Sequence, residues 1–418
     1  MIIKKTLDNG IRIVMEKIPS VKSVSVGIWV KAGSVDENKK IAGISHLIEH
    51  MMFKGTDTRS AKKIAEDVDR IGGQINAFTG KEATCYYIKT LESNIDKGCD
   101  IITDMFINSK FDEEELEREK SVIFEEIKMI EDSPEDDAHE NLQEILFRGS
   151  ALESPIIGTY SSLESITRDT ILEYIDEEYT ADSIVISVAG SFDEDLICNI
   201  FNERLEGIKN TKSKKILPVK NYVPDYKVKK KDVEQSHICL GTKSVAHEDE
   251  LYYPMLILNS IMGGSMSSRL FQNIREQKGL AYTVYSSIHS YQTDGMYYIY
   301  AGVSHDKVDE AVDAICIELK DLAKKGITED ELYIAKEQLK SNYVFSQENV
   351  NNRMYSLGKN TLLRSRLLTP SEVIEKINNV TMDDIKKASE IITDITKYSG
   401  VIVSDRQFDI KGMLKGLS

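Results

Sequence analysis

Two stretches of this sequence recur at nearly the same distance along the chain, and this repetition limits the possible folds. Segment 114–120, which begins Glu-Glu-Leu and ends in Lys, reappears at 330–336 as Asp-Glu-Leu with the same final Lys, 216 positions later. Segment 166–171 reappears at 380–385 with an offset of 214. Two independent matches at almost one offset indicate a duplicated domain.

Each copy mixes strand-like and helix-like runs. Residues 24–30 alternate valine or isoleucine with unlike neighbours, which is typical of a strand with two different faces. Residues 168–178 follow the capping residue Thr167 and predict a helix, and 183–190 predict a strand after it. The predicted fold class is therefore α+β, with two homologous domains that are each a mainly antiparallel sheet with helices packed on one face.

A lysine-rich stretch separates the two copies. Nine lysines and two prolines lie between positions 205 and 235, among few long apolar runs. This composition predicts an exposed connection that ends as an edge strand, although an anion site there is an alternative. We predict a first domain over 1–205, a linker over 206–235 and a second domain over 236–418.

Composition excludes several classes of protein. The 418 residues carry a formal charge of −16, which argues against a surface for nucleic acid or phosphate. No apolar run approaches the length of a membrane span, and the first residues resemble neither a secretory nor a transit peptide. Five widely spaced cysteines suggest buried free thiols. We expect a cytoplasmic protein with no membrane or nucleic-acid partner.

The run from His46 to His50 reads His-Leu-Ile-Glu-His. On a helix, His46 and His50 leave the same face one turn apart, about 5–6 Å between their Cβ atoms, which suits the binding of one small metal ion. Glu49 projects beside them. The order His-x-x-Glu-His reverses the common zinc-protease motif and is the inverzincin pattern.

A later predicted helix, 112–131, offers candidates for a third ligand. Its inward stripe is defined by apolar residues at positions 116, 123, 127 and 130. Glu119 and Glu126 fall in the same stripe, where a carboxylate is costly unless it is paired or binds metal. We interpret them as a ligand and a supporting group, with buried salt bridges to Arg or Lys as the alternative.

The second copy lacks this chemistry. At the offset of 216, Glu119 and Glu126 correspond to Ala335 and Asn342, and the two histidines correspond to a region near Met262 that contains no ligand. The sequence therefore predicts one metal site, in the first copy alone.

Two histidines and one glutamate leave a coordination position of zinc open for water, as in catalytic sites. Bound zinc brings that water toward a pKa near 7, and Glu49 can accept its proton and pass it to a leaving amine. This chemistry is peptide-bond hydrolysis. A purely structural zinc is the weaker interpretation, because cysteine ligands are missing and such a site has no use for Glu49.

At this point the sequence resembles the pitrilysin-type metallopeptidases, in the branch of the mitochondrial processing peptidase and its bacterial relatives. The resemblance spans nearly the whole chain. It is carried by residues 46–56, by 76–79 with Glu82, Thr84 and Tyr86, by 119–126, by Arg168-Asp169 ahead of Tyr179-Thr180, and by 267–271 leading to 275–282.

The resemblance implies a role for each candidate. It implies one Zn²⁺ per chain, bound by His46, His50 and Glu126, with Glu49 as general base and Glu119 supporting the ligands. Three further implications concern substrate: Asn76, Ala77 and Phe78 would form a sheet edge that binds an extended peptide, Arg275 would contact the substrate, and Tyr282 would steady the carbonyl oxygen. Without the resemblance, 76–78 would be an ordinary strand, Arg275 part of a solvated charged helix, and Tyr282 a core residue.

The resemblance also implies a zinc endopeptidase that hydrolyses short or unfolded peptides in a chamber between the domains, and a homodimer. One departure concerns the glycine-containing loop 262–266, which is shorter than in the partner chain of the mitochondrial enzyme and looks like the self-sufficient bacterial type. The alternative is a non-catalytic peptide-binding or scaffold subunit of the same fold. The natural substrate, cleavage preference and pathway cannot be read from the sequence.

Overall fold

The computed structural model describes residues 2–211 and 222–415. Packing divides these residues into two units. Unit one consists of residues 2–127, 154–211 and 344–367, and unit two of residues 128–153, 222–343 and 368–415. The α+β class with two related domains is confirmed.

Each unit contains one sheet. The strands of unit one are β1 (Ile2–Thr6), β2 (Arg12–Lys17), β3 (Ser23–Val30), β4 (Gln74–Thr79), β5 (Thr84–Leu91) and β6 (Ile184–Gly190). Those of unit two are β7 (Tyr226–Lys230), β8 (Ser236–Ser244), β9 (Ala281–Ser290), β10 (Gly295–Val303) and β11 (Ser399–Ser404).

The two sheets share one topology. The first has the order β1-β2-β6-β3-β5-β4 and the second β7-β11-β8-β10-β9. Among the described residues, the second therefore repeats the first from β2 to β4, without a counterpart of β1. In each sheet one pair is parallel, β2 with β6 and β7 with β11, and the other pairs are antiparallel. This common order is the structural counterpart of the repeat seen in the sequence.

Helices account for most of the remaining chain. They are α1 (Ile44–Met51), α2 (Ala61–Arg70), α3 (Ile95–Asn108), α4 (Glu113–Asp132), α5 (Pro134–Leu146), α6 (Tyr160–Ser165), α7 (Arg168–Glu178), α8 (Glu194–Leu205), α9 (Tyr252–Met262), α10 (Val308–Lys325), α11 (Glu329–Gln347), α12 (Val350–Leu363), α13 (Pro370–Asn379), α14 (Met382–Thr393) and α15 (Ile410–Lys415). None of these helices is long and apolar enough to cross a membrane.

The first sheet is covered on both faces. Alternate residues of β2 and β3, such as Ile13 and Ile28, point into the main core with the helices of the first half. Their neighbours Val14 and Trp29 point the opposite way and form a second cluster with α12. Since α12 belongs to the second half of the sequence, the first sheet is completed by a helix from the other copy.

The second sheet is completed reciprocally by α5. Leu142 lies over Gly241 of β8, where a Cβ atom would come within 2.9 Å of its methyl group. The His139 ring lies 4.7 Å from that of Tyr298 on β10. Helices α5 and α12 begin 216 positions apart, at the same offset as the repeat.

This exchange makes the packed units discontinuous, whereas the sequence predicts continuous domains over 1–205 and 236–418. The physical reason is that an amphipathic helix carries an apolar stripe that must be buried, but the stripe does not specify which of two similar sheets buries it. Residues 128–153 and 344–367 each belong to the unit of the other copy.

The lysine-rich stretch contributes to unit two. Residues 212–221 of the predicted linker lie outside the described residues, and the next part forms the edge strand β7. Lys229 of β7 pairs with the buried Asp137 of α5 at 2.8 Å, and Lys227 lies 3.8 Å from Glu144. Lys227 and Lys229 therefore help to hold α5 against the second sheet.

The five cysteines are all free thiols. Cys85, Cys99, Cys239 and Cys316 are buried, and Cys198 is half-buried. The prediction of buried free thiols is confirmed for the first four, whereas Cys198 is partly exposed.

Candidate metal centre

Helix α1 presents the two histidines on one face because its other face is fixed in the core. Leu47, Ile48 and Met51 are fully buried, whereas His46 and His50 are only partly so. The N-cap residue, directly before the helix, is Gly43, which has a φ of 92°. A Cβ atom there would lie 2.7 Å from the carbonyl oxygen of Ile157, so only glycine allows this approach.

The two histidines meet Glu126 of α4. The Nε2 atom of His46 lies 3.8 Å from Oε2 of Glu126, and that of His50 lies 3.7 Å from Oε1. Within the described residues, His46, His50 and Glu126 are the one group of three metal-binding side chains whose ligand atoms all lie within 4.8 Å of one another.

These distances fit a metal ion better than direct hydrogen bonds, which need about 2.7–3.2 Å. Tetrahedral zinc with bonds of about 2.0–2.1 Å places its ligand atoms roughly 3.3 Å apart. The three side chains are thus close to that spacing, and the donor set of two nitrogens and one oxygen is one that zinc accepts.

Glu119 supports His50 from the other side. Its Oε2 lies 3.1 Å from Nδ1 of His50, and its Oε1 lies 2.6 Å from the ammonium of Lys54. If Nδ1 of His50 carries the proton and donates a hydrogen bond to Glu119, the lone pair of Nε2 faces Glu126. The sequence left a buried salt bridge to Arg or Lys as the alternative for this carboxylate. Glu119 makes both contacts, because it pairs with Lys54 through one oxygen and with His50 through the other.

Burial keeps His46 neutral. Desolvation, assisted by the neighbouring His50, lowers the pKa of His46 to about 4. A neutral imidazole is the form that binds metal. The Nδ1 atom of His46 is buried and has no hydrogen-bond partner among the described residues, so, unlike His50, this ring is oriented by packing.

Glu49 stands beside this set without belonging to it. Its Oε2 accepts a hydrogen bond of 2.5 Å from the hydroxyl of Thr79 at the end of β4. Burial raises the pKa of Glu49 above its usual value, and nearby Glu126 raises it further, while the Thr79 bond and His50 oppose these effects. A raised pKa brings a carboxylate closer to the range in which it can accept and return a proton near neutral pH.

The start of α1 is held by another carboxylate. Glu37 accepts hydrogen bonds from the backbone N–H groups of Gly43 at 2.6 Å and Ser45 at 2.9 Å. Burial raises the pKa of Glu37 to about 7. An anion at a helix N-terminus satisfies free N–H groups, so Glu37 fixes the end of α1 that precedes His46.

The predicted peptide-binding segment lies on an edge strand. β4 is the last strand of its sheet and pairs with β5 alone. The backbone N–H of Ala77 is bonded to the side-chain oxygen of Asn76 at 2.8 Å, which places this N–H away from β5. Phe78 is partly exposed beside Tyr355, with ring centres 5.5 Å apart. The edge has no neighbouring strand, the N–H of Ala77 there is held by the side chain of Asn76, and Thr79 connects the strand to Glu49.

Arg275 and Tyr282 are neighbours in unit two. Arg275 lies on a π-helix, Phe271–Gln277, and its guanidinium is 4.7 Å from the centre of the Phe271 ring and 5.1 Å from that of Tyr282. Tyr282 is 76% exposed, so its interpretation as a core residue from the pattern alone is wrong. The histidines belong to unit one, and the substrate roles of Arg275 and Tyr282 stay predictions.

Three contributors were not assigned a role from the sequence: Glu37, Lys54 and Thr79. Thr79 could have been found from the two-residue period of β4, which places it on the same face as the buried Ala77. Lys54 acts through a contact with Glu119, a distant position that no spacing in the sequence indicates. Glu37 contacts Gly43 and Ser45 nearby in the sequence, but no motif marks it as the residue that holds the helix start.

Comparisons with known proteins identify the family to which this chain is similar. The profile described as "Insulinase (Peptidase family M16)" matches residues 12–160, and "Peptidase M16 inactive domain" matches residues 165–339. The description of the second profile as inactive agrees with a second copy that lacks the histidines.

Whole-chain relatives show the same relation. A Bacillus subtilis protein named uncharacterized zinc protease YmxG is 44% identical over 92% of this chain and 94% of its own length. An uncharacterized zinc protease from Rickettsia felis is 38% identical over 93% and 95%. The crystal structure of a protease from Helicobacter pylori has a TM-score of 0.89 at 23% identity, covering 97% of this chain and 99% of that one, and so shares the fold.

Proposed function

Because this chain belongs to the insulinase family of peptidases, family M16, we propose that it is a zinc-dependent endopeptidase. The observation that carries the proposal is the convergence of His46, His50 and Glu126, with Glu49 beside them and outside the ligand set. A structural metal site has no need of that additional buried carboxylate. In this proposal His46, His50 and Glu126 hold one zinc ion per chain.

Zinc in such a site supplies Lewis acidity, which activates a water molecule and polarises the peptide carbonyl. The protein's own contribution begins with Glu49, which accepts a proton from the attacking water and then donates it to the leaving nitrogen. Its raised pKa makes it a stronger base than an ordinary carboxylate and brings it closer to the range in which it can also return the proton, and the hydrogen bond from Thr79 keeps the carboxylate oriented.

The substrate binds as an extended strand along β4. In the segment Asn76, Ala77 and Phe78, the backbone groups of Ala77 face the free edge, and a peptide would replace the side chain of Asn76 as the partner of its N–H. This mode of recognition requires no particular side chain in the peptide. Ordered proteins seldom expose a segment that can add to an edge in this way. Short or unfolded peptides are therefore the proposed substrates.

The remaining assignments rest on the family resemblance. The first domain, 1–205, carries catalysis, and the second, 236–418, supplies Arg275 for substrate binding and Tyr282 for stabilising the developing negative charge on the carbonyl oxygen. The proposed enzyme is a cytoplasmic homodimer with a chamber that encloses the peptide.

A non-catalytic peptide-binding subunit of the same fold is the second candidate. The observation that favours it is that the second domain matches a profile for an inactive domain. Against it stands the complete set of His46, Glu49, His50 and Glu126 in the first domain, which a pure binding subunit has no need to keep.

The experiment is a profile of peptide cleavage products with the whole protein, run as isolated, after treatment with a chelator, and after zinc is restored. The proposal predicts internal cleavage of unstructured peptides that the chelator abolishes and zinc restores. Binding of the same peptides without cleavage, in protein that contains stoichiometric zinc, would support the subunit instead.

A further inference from the structure

Lys54 lies just beyond the histidine helix and touches none of the three proposed ligands. Its ammonium is 2.6 Å from Oε1 of Glu119, and the other oxygen of that carboxylate is 3.1 Å from Nδ1 of His50. Glu119 is 5% exposed. The buried carboxylate therefore has one oxygen on a lysine and the other on an imidazole.

The loop that carries Lys54 is held by its own contacts. The backbone N–H of Lys54 donates to the carbonyl of Met51 at 3.0 Å, and Gly55 follows with a φ of 113°. The hydroxyl of Thr56 donates to the buried carboxylate of Asp104 at 2.7 Å. Because these contacts fix the backbone before and after Lys54, its ammonium lies at a defined position.

Asp104 is itself well supported by this loop. It accepts hydrogen bonds from Thr58 at 2.9 Å, from the guanidinium of Arg59 at 2.7 Å and from Asn108 at 2.9 Å. The loop after the histidine helix is in this way fastened to α3. Lys54 then connects the fastened loop to α4, on which Glu119 lies.

This geometry restricts how Glu119 can turn. With Oε1 held by the ammonium, Oε2 is directed at Nδ1 of His50, and the imidazole is favoured in the tautomer that carries its proton there. In a variant without Lys54, the carboxylate of Glu119 would be buried but would lack the contact that sets its rotation. The effect on the metal site would arise through His50.

We infer that Lys54 is a positioning residue of the metal site: it orients Glu119, which in turn fixes the ring and the tautomer of His50. This inference rests on the proposed function to the extent that His50 is a zinc ligand.

The adjacent Lys120 provides a matched control. Its side chain is buried to a similar degree as that of Glu119, and it lies next to Glu119 on α4, but its ammonium pairs with Glu117 at 2.8 Å. Lys120→Met therefore removes a lysine from the same neighbourhood without removing the contact to Glu119.

The test is a measurement of zinc affinity by competition with a chelator for the wild type, Lys54→Met, Lys54→Arg, Lys120→Met, Glu119→Gln and the double variant Lys54→Met/Glu119→Gln. Loss of a group that supports a ligand typically weakens metal binding about 10–100-fold. We expect such a loss in Lys54→Met, recovery in Lys54→Arg, little change in Lys120→Met, and a double variant no weaker than Glu119→Gln. Losses in the two single variants that multiply in the double variant would overturn the inference, because Lys54 would then act independently of Glu119.

A second readout uses the metal-free protein labelled with ¹⁵N-histidine. The wild type should show His50 protonated at Nδ1, and Lys54→Met should show a mixture of tautomers, while thermal unfolding confirms that the variant is folded. Lys54→Gln takes its place if Lys54→Met does not fold. An unchanged tautomer would refute the inference whether or not zinc binds, and a wild type that binds no zinc would refute the proposed function instead.

Discussion

The hydroxyl of Thr79 donates a 2.5 Å hydrogen bond to Glu49, and so joins the free edge of the first sheet to the carboxylate beside the histidines. The strand that is proposed to bind the peptide therefore also orients the proposed base. A peptide added to this edge would be placed in register with Glu49.

Thr79→Val should lower kcat by about 10-fold or more with unchanged zinc content, because a hydrogen bond to a charged group contributes roughly 1.5–3 kcal/mol. The bond lowers the pKa of Glu49, so its loss should also move the acid limb of the pH–rate profile to higher pH. Thr79→Ser keeps the hydroxyl and serves as the control. A Thr79→Val profile that coincides with the wild type would show that Thr79 does not orient the base.

Glu126→Gln should weaken zinc binding strongly, since an amide is a poorer ligand than a carboxylate. Its chain neighbour Glu125 is exposed and lies about 100° around α4 from Glu126, which makes Glu125→Gln a control of equal charge change. Zinc content after dialysis, measured by elemental analysis, should fall in the first variant only. Equal zinc content in both variants would show that the third ligand is a residue other than Glu126.

Glu37→Gln should change how the stability of the metal-free protein depends on pH. The pKa of Glu37 is about 7 in the folded protein and about 4.3 in an unfolded chain, so between these values the native state holds a proton that the unfolded state has released. Stability then falls as pH rises through this window, by up to about 4 kcal/mol from this one group.

The measurement is urea unfolding of the wild type and Glu37→Gln at several values between pH 4.5 and pH 7.5. The wild type should lose stability relative to the variant as the pH rises, because glutamine does not titrate. A difference between the two proteins that stays constant across this range would contradict the assignment.

Gly358→Ala should destabilise unit one. A Cβ atom at Gly358 of α12 would lie 2.0 Å from Nε1 of Trp29, which is 2% exposed and bonded to Ser187. Overpacking of this kind costs about 1–3 kcal/mol. Trp29 is the one tryptophan of the chain, so its fluorescence reports the unfolding directly. Gly207→Ala, where a Cβ atom would meet nothing within 4 Å, is the control. Equal stability of the two variants would argue against close packing of α12 on this sheet.

Local pattern was enough to predict much of the fold. Helix α7 was predicted over 168–178 and has these bounds, because a capping threonine and an apolar period mark both its identity and its start. The positions of Glu119 and Glu126 on one face of α4 also followed from its period, and both lie on the side of the histidines.

Long-range choices were not accessible in the same way. The stripes of α5 and α12 show that each helix buries one face, but not that each covers the sheet of the other copy. Likewise, Lys54 and Thr79 reach carboxylates 65 and 30 positions away, and such pairings depend on the assembled fold.

The central claim is that Glu49 performs the proton transfers and binds no metal. The most direct measurement compares zinc content and peptide cleavage in the wild type and Glu49→Gln. We predict that the variant retains a full complement of zinc and loses at least 1,000-fold in turnover, on the order expected for a general base acting on an otherwise intact site. Cleavage at the wild-type rate by zinc-loaded Glu49→Gln would contradict the account.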